Sequence, residues 1–317
     1  MICFPNAKIN IGLNIGDEYP CGLHEINSIF LPIKLSDALE VIEASNQTSK
    51  IKIDYSGLVG NIENDLCTKA YNILDKRFSL PPVKVHLHKC IPIGSGLGGG
   101  SSNAVCMLKT LNSLFDLKLT EKDLLRYAKL LGSDCSFFVY NQIAHISGTG
   151  CEINKKGIRE PKGINNFDQY KLVLIIPKKL TLSTREIFSY VRERKKKEQL
   201  FNRQKEFKKS FKKVVQSNSL KLNLPEYFES YRSLVFNDLE EVSFEVAPLL
   251  KSIKDDLYKN GAIYASMSGS GSAIYGVYPK DISFEKKYSK ISSNYKKNDF
   301  FIWQESFEFI KRTHKLG

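Results

Sequence analysis

Between Pro92 and Asn103 the chain reads P-I-G-S-G-L-G-G-G-S-S-N, with five glycines in twelve residues. No other stretch limits the possible folds as much. Just before it, Val83, Val85 and Leu87 alternate with Lys84, His86 and His88, the period-two pattern of a half-buried strand. Just after it, Ala104, Val105, Leu108, Leu111 and Leu114 form an apolar stripe at helical spacing. A glycine-rich turn between a strand and a helix can take positive φ and approach a ligand without Cβ interference. The unpaired amides of the helix start, at the positive end of its dipole, then form an anion site. The candidate phosphate loop comprises Pro92, Ile93, Gly94, Ser95, Gly96, Leu97, Gly98, Gly99, Gly100, Ser101 and Ser102. The two serines can add hydroxyls to phosphates or to a Mg²⁺ ion.

Two common phosphate loops are excluded or weakened. A Walker A loop requires Gly-Lys-Ser/Thr, and no lysine follows these glycines. Gly94, Gly96 and Gly99 satisfy G-x-G-x-x-G, but Pro92 intervenes and a second helical segment follows where a dinucleotide-binding unit places its next strand.

Elsewhere the chain reads as alternating strands and helices. Strands are predicted at 6–15, 26–33, 38–43 and 50–55, with a turn-rich loop at 16–22. A helix is predicted over 65–78, ended by Pro81-Pro82, and another over 120–131, capped by Thr120 with Asp123 and stopped by Gly132. Segments 136–140, 142–146 and 171–176 are predicted as strands. A second glycine-rich turn, Ser266 to Ser272, leads into a strand at 273–278, and one more helix and a strand near 300–303 close the chain. The polar stretch 154–169 is the linker candidate. At 317 residues, two lobes with a cleft between them are expected, and clustered strands and helices in each suggest an α+β architecture. The boundary is placed between residues 157 and 158.

Composition narrows the class. Apolar residues make up 42% and charged residues 26%, and no apolar run approaches the roughly 18 residues of a membrane helix. The N-terminus lacks a secretory pattern, so a cytoplasmic protein is expected. Seven cysteines, scattered and never in a C-x-x-C pair, argue for free thiols over a disulfide framework or a zinc site. The formal charge of +13 invites a nucleic-acid reading, yet segment 192–222 holds twelve Lys or Arg against three Glu, so most of the excess is local. There Leu200, Phe207, Phe211 and Val214 recur at helical spacing, as in an amphipathic helix with a solvated face.

Asp134 follows a helix stop and precedes the apolar run Cys135 to Phe138, where a carboxylate must be hydrogen-bonded, paired or poised for proton transfer. Lys8 lies on the opening strand. Taken alone, each has a bland reading, as a turn cap and a surface lysine.

Taken together, four segments resemble the GHMP kinases. They are Pro5 to Leu13 (P-N-A-K-I-N-I-G-L), Pro92 to Ala104, Leu131 to Phe138 (L-G-S-D-C-S-F-F) and Met267 to Ala273 (M-S-G-S-G-S-A), in family order across nearly the whole chain. The resemblance implies a ribosomal protein S5 domain 2-like N-terminal lobe at 1–157 and a ferredoxin-like C-terminal lobe at 158–317, with the basic stretch near 192–222 as an insertion. It implies ATP and Mg²⁺ as cofactors, no metal-ligand residue being assigned. It further implies Lys8 and Asp134 as the catalytic pair and Asn10 at the substrate. The G-L-G-G-G-S-S-N-A form resembles the branch whose acceptor is a cytidine diphosphate-linked methylerythritol of non-mevalonate isoprenoid synthesis. The likeness to that branch implies Asp134 as the base for the 2-hydroxyl, and His24 and Phe188 as contacts of the cytidine. The homoserine and mevalonate-pathway types remain alternatives. The implied partner is a small molecule, with neither nucleic acid nor membrane, and the implied state is a monomer or weak homodimer. One departure is Leu23, which stands where that branch has an aromatic, removing about 1 kcal/mol of ring contact.

Overall fold

A computed structural model describes residues 1–20, 22–44, 49–58, 65–154, 169–195, 235–281 and 283–306. Cys21, the boundary at 157/158, nearly all of the linker candidate and the basic segment from residue 196 onward lie outside the described residues.

The first half holds β1 (Ile2–Cys3), β2 (Asn6–Glu18), β3 (His24–Ser36), β4 (Ala38–Glu43), β5 (Ile51–Gly57), α1 (Leu66–Phe78), β6 (Val83–Lys89), α2 (Gly99–Leu114), α3 (Glu121–Leu131), α4 (Cys135–Tyr140), β7 (Ala144–Ser147) and β8 (Glu152–Asn154). Its strands form two four-stranded sheets, ordered β1-β4-β6-β5 and β2-β3-β7-β8. Strands β5 and β6 pair in parallel. The alternation read at 83–88 is realised residue by residue: Val83, Val85, Leu87 and Lys89 are buried, and Lys84, His86 and His88 are exposed. The buried side packs on α1, α2 and α3 through Val85, Leu74, Leu108 and Tyr127. Asp65 caps α1 by accepting from the amides of Cys67 and Thr68, and Thr120 and Asp123 form a reciprocal capping box on α3.

The second half holds β9 (Tyr170–Pro177), α5 (Thr184–Lys195), α6 (Glu240–Val246), α7 (Pro248–Lys259), β10 (Tyr264–Met267), β11 (Ile274–Pro279), α8 (Phe284–Asn294) and β12 (Phe300–Ser306). The antiparallel sheet order β10-β11-β9-β12 is that of a ferredoxin-like unit. The near-continuous apolar run of β9 has a direct cause. Val173 and Ile175 face the helices with Ile187, Leu250 and Ile253, whereas Leu172, Leu174 and Ile176 face the first half with Ile9, Ile11 and Ile29. A strand buried on both faces has no polar side.

Three expectations are corrected. Residues 136–140 form helix α4 and not a strand. Cys135 to Val139 are all buried, and a short run buried all round has no periodicity by which to tell the two apart. Helix α2 begins at Gly99, inside the glycine loop, with Gly98 as its N-cap at φ 72°. Cys3 and Cys106 are joined as a disulfide, because β1 lies on β4, against which α2 packs; their separation of 103 residues carries no spacing signal. Cys67, Cys90, Cys135 and Cys151 are free thiols.

Candidate active site

Strand β2 carries Lys8 and Asn10 into the middle of the molecule. Lys8 is 2% exposed. Its Nζ lies 3.3 Å from Asp134 Oδ2, donates to Asn10 Oδ1 at 2.6 Å and sits 4.6 Å above the Phe30 ring centroid. A buried ammonium needs such partners, since desolvation without them is costly. Asp134 occupies the turn between α3 and α4, its side chain 29% exposed, so one carboxylate is both paired with a cation and open to the cavity. The residue behind it does not compete as a nucleophile: burial, with the Asp134 charge adding, pushes the Cys135 thiol up to about 12, against a hydrogen bond from Ser101.

Asn10 is the hub that joins three distant segments. Its Nδ2 donates to Ser28 Oγ at 3.2 Å, its Oδ1 accepts from Ser268 Oγ at 3.2 Å, and its carbonyl accepts from Tyr275 Oη at 2.6 Å. Ser268 Oγ also donates to the Gly96 carbonyl at 3.0 Å. The second glycine-rich turn thus clasps the first. Asn237 holds that turn in place, donating to the carbonyls of Met267 and Gly269 at 3.0 and 2.7 Å.

In the loop, Gly94, Gly96 and Gly98 take φ of 68°, 78° and 72°, conformations that L side chains rarely adopt. A Cβ on Gly96 would collide with the Ser268 carbonyl oxygen. The start of α2 bears no acidic residue in its first turn, which suits an anion. Beneath the loop, buried Asp37 accepts from the amides of Cys90 and Ile91 at 2.7 and 2.8 Å. It also binds the Lys89 and Asn103 side chains. This pins the end of β6 to α2.

Two cavities meet at this loop. One, of about 720 Å³, is lined by Lys8, Asn10, Leu23, His24, Asp134, Phe188 and the Gly269-Ser270 turn, among others. The other, of about 480 Å³, is lined by Tyr55, Leu66, Lys69, Lys89 and the loop from Pro92 to Ser101. Gly96 and Gly98 line both. The loop is therefore the shared wall between two cavities, with Lys8 and Asp134 on one side of it.

Of the residues singled out from sequence, Lys8, Asn10, His24, Asp134 and Phe188 lie together in the larger cavity. Pro92, Ile93, Gly94, Ser95, Gly96, Leu97, Gly98, Gly99, Gly100 and Ser101 line the smaller one. Ser102 lines neither; it is buried in the first turn of α2, its amide bonded to the Gly98 carbonyl at 2.9 Å. The rings of His24 and Phe188 stack with centroids 5.9 Å apart and an interplanar angle of 27°, while Leu23 is 54% exposed at the same cavity. Sequence reasoning missed Asp37, Lys89, Asn103, Asn237 and Tyr275. Their roles rest on partners elsewhere in the chain; Asn103, at the end of the first glycine-rich segment, and Ser268, in the second, lay in stretches that the glycines flagged.

The family model for the GHMP kinases N terminal domain matches residues 65–142, and that for GHMP kinases C terminal matches residues 211–297. The chain belongs to the GHMP kinase family, the ATP-using class that its loop and cleft define. Its relatives are more specific. A 4-diphosphocytidyl-2-C-methyl-D-erythritol kinase of Bacteroides fragilis is 39% identical over 293 residues, covering 92% of this chain and 95% of its own length. A protein of the same name from Parabacteroides distasonis is 37% identical over 310 residues, covering 96% and 98%. Among solved structures, a 4-(cytidine 5'-diphospho)-2C-methyl-D-erythritol kinase superposes with a TM-score of 0.69 at 24% identity, covering 96% of this chain and 98% of its own. Methanococcus jannaschii mevalonate kinase superposes with a TM-score of 0.68 at 18% identity, covering 97% and 98%. Both likenesses establish the fold.

Proposed function

We infer that the chain transfers the γ-phosphoryl group of ATP to the 2-hydroxyl of 4-diphosphocytidyl-2-C-methyl-D-erythritol, a step of non-mevalonate isoprenoid synthesis. The observation that carries the reading is the Lys8–Asp134 pair set against a glycine loop shared by two cavities. The relatives' names carry the choice of acceptor.

The residues divide the work. ATP lies in the smaller cavity with its phosphates on the loop amides, where glycine leaves the backbone bare. The acceptor lies in the larger cavity, its cytidine toward His24 and Phe188 and its hydroxyl toward Asp134. Asp134 takes the hydroxyl proton as the acceptor oxygen forms its bond to the γ-phosphorus and the bond to the β–γ bridging oxygen breaks, releasing ADP. Lys8, held by Asn10 and Phe30, stabilises the negative charge on the transferred group. Asn10 positions Lys8 and couples it to the loop through Ser268. Among the described residues no group of three or more His, Cys, Asp or Glu could hold a metal ion. A Mg²⁺ ion brought in on the substrate phosphates would keep several waters; the Ser101 hydroxyl and the Asp134 carboxylate would be the donors that hold it, and it would neutralise phosphate charge.

Among the described residues no helix is long and apolar enough to cross a membrane. The reading is of a cytoplasmic small-molecule enzyme that acts as a monomer or weak homodimer and binds no nucleic acid. A panel assay with γ-labelled ATP tests the function. Label is expected to pass to 4-diphosphocytidyl-2-C-methyl-D-erythritol and not to homoserine or mevalonate. Transfer to either of those with none to the first overturns the acceptor assignment.

A further inference from the structure

Three permanent cations line the larger cavity among the described residues: Lys8, Arg185 and Arg192. Two are matched by carboxylates. Lys8 faces Asp134, and Arg192 lies 2.9 Å from Glu18 at the end of β2. Arg185 is exposed on the first turn of α5 and has no ion-pair partner among the described residues.

Its place along the helix is informative, because α5 runs past the cavity like a ruler. At its start, Thr184 Oγ1 is bonded to Ser270 Oγ at 2.8 Å, in the turn that clasps the phosphate loop. One turn on, Phe188 stacks with His24. One further turn on, Arg192 reaches Glu18. Residues 185, 188 and 192 share one helix face by their spacing. Arg185 therefore stands about 4.5 Å along the axis from the level of the aromatic pair, on the side of the reaction centre.

A substrate with its base at Phe188 and its reacting hydroxyl at Asp134 must lay its linking phosphates along this wall. We propose that Arg185, with the hydroxyls of Thr184 and Ser270, forms the subsite for the acceptor's diphosphate. The planar guanidinium presents paired donors that match phosphate oxygens, and its charge offsets that of a diphosphate brought close to Asp134. The proposal rests on the cytidyl acceptor reading above.

Binding of CDP and of cytidine to the full chain, measured by calorimetry beside the KM for the acceptor, tests it. With Arg185→Ala, the Kd for CDP and the KM for the acceptor are expected to rise about tenfold, the size expected for a charge-assisted hydrogen bond. The Kd for cytidine and the KM for ATP should move less than about twofold, and Arg185→Lys should recover part of the loss. CDP affinity of the parent chain should also fall with added salt more steeply than that of Arg185→Ala. Equal weakening of CDP and cytidine would show that Arg185 only supports Phe188, and no weakening of either would show that it is a solvated surface residue; both overturn the subsite and leave the acceptor intact. A parent chain that binds neither CDP nor cytidine overturns the acceptor reading, and the subsite with it. Because Arg185 is exposed on a helix, its variants are expected to fold, and Arg185→Gln supplies a second, uncharged check.

Discussion

The ammonium of Lys8 is surrounded by a carboxylate, an amide oxygen and an aromatic face, so replacing one partner leaves two. Asp134→Asn is therefore expected to keep the fold and the glycine loop while removing the proposed proton acceptor. Turnover should fall by a factor of about 10² to 10⁴, with ATP affinity, followed by fluorescent nucleotide displacement, changed less than about threefold. A variant that retains most of its turnover would reduce Asp134 to a turn cap. At the other end of the cavity, Phe188 supplies most of the ring surface because Leu23 offers contact area without a π-face. Phe188→Ala should raise the KM for the cytidyl acceptor about tenfold, roughly 1–2 kcal/mol, and leave that for ATP unchanged. In contrast to Arg185→Ala, it should weaken cytidine as much as CDP.

Among the elements, β7 carries a pH-sensitive load. His145 is 9% exposed, its Nε2 lies 3.3 Å from Asn27 Oδ1, and burial pulls its pKa from 6.5 to about 4. The folded state thus keeps it neutral while the unfolded chain protonates near 6.5. Between pH 6.5 and about 4 the unfolded chain binds the extra proton, so stability drops as pH falls through that window and the effect levels off below it. The whole window corresponds to about 3 kcal/mol. His145→Gln should flatten the fall in unfolding midpoint across this acid range, measured by urea titration at each pH; an unchanged slope would place the sensitivity elsewhere.

On the scale of the molecule, the two halves share a core. Ile9, Ile11 and Ile29 of the first half pack with Leu172, Leu174, Tyr264 and Tyr275 of the second, and partly buried Trp303 packs against the same cluster. Buried Tyr275 also bonds across the junction to the Asn10 carbonyl. Separating the lobes exposes this apolar surface, so one cooperative transition is expected. Far-UV circular dichroism and the fluorescence of Trp303, the sole tryptophan, should report the same thermal midpoint. Distinct midpoints would mean that the lobes unfold independently.

What the sequence determined by itself was everything encoded within a dozen neighbouring residues. The glycine loop, the alternation of β6, the cap of α3 and the apolar run of β9 all follow from backbone freedom, side-chain period and local hydrogen bonding. The tertiary structure decided what depends on partners far away in the chain. It made residues 135–140 a helix, since their surroundings bury them on nearly every side. It also brought Lys8 to Asp134, set Ser268 and Asn237 around the loop, and put Arg185 on the wall of the cavity that Lys8, Asp134, His24 and Phe188 line. Local propensity is a free energy of tenths of a kcal/mol per residue, whereas burying an apolar side chain or an unpaired charge is worth several. Where the two scales meet, packing chooses which charges face one another, and so where the chemistry sits.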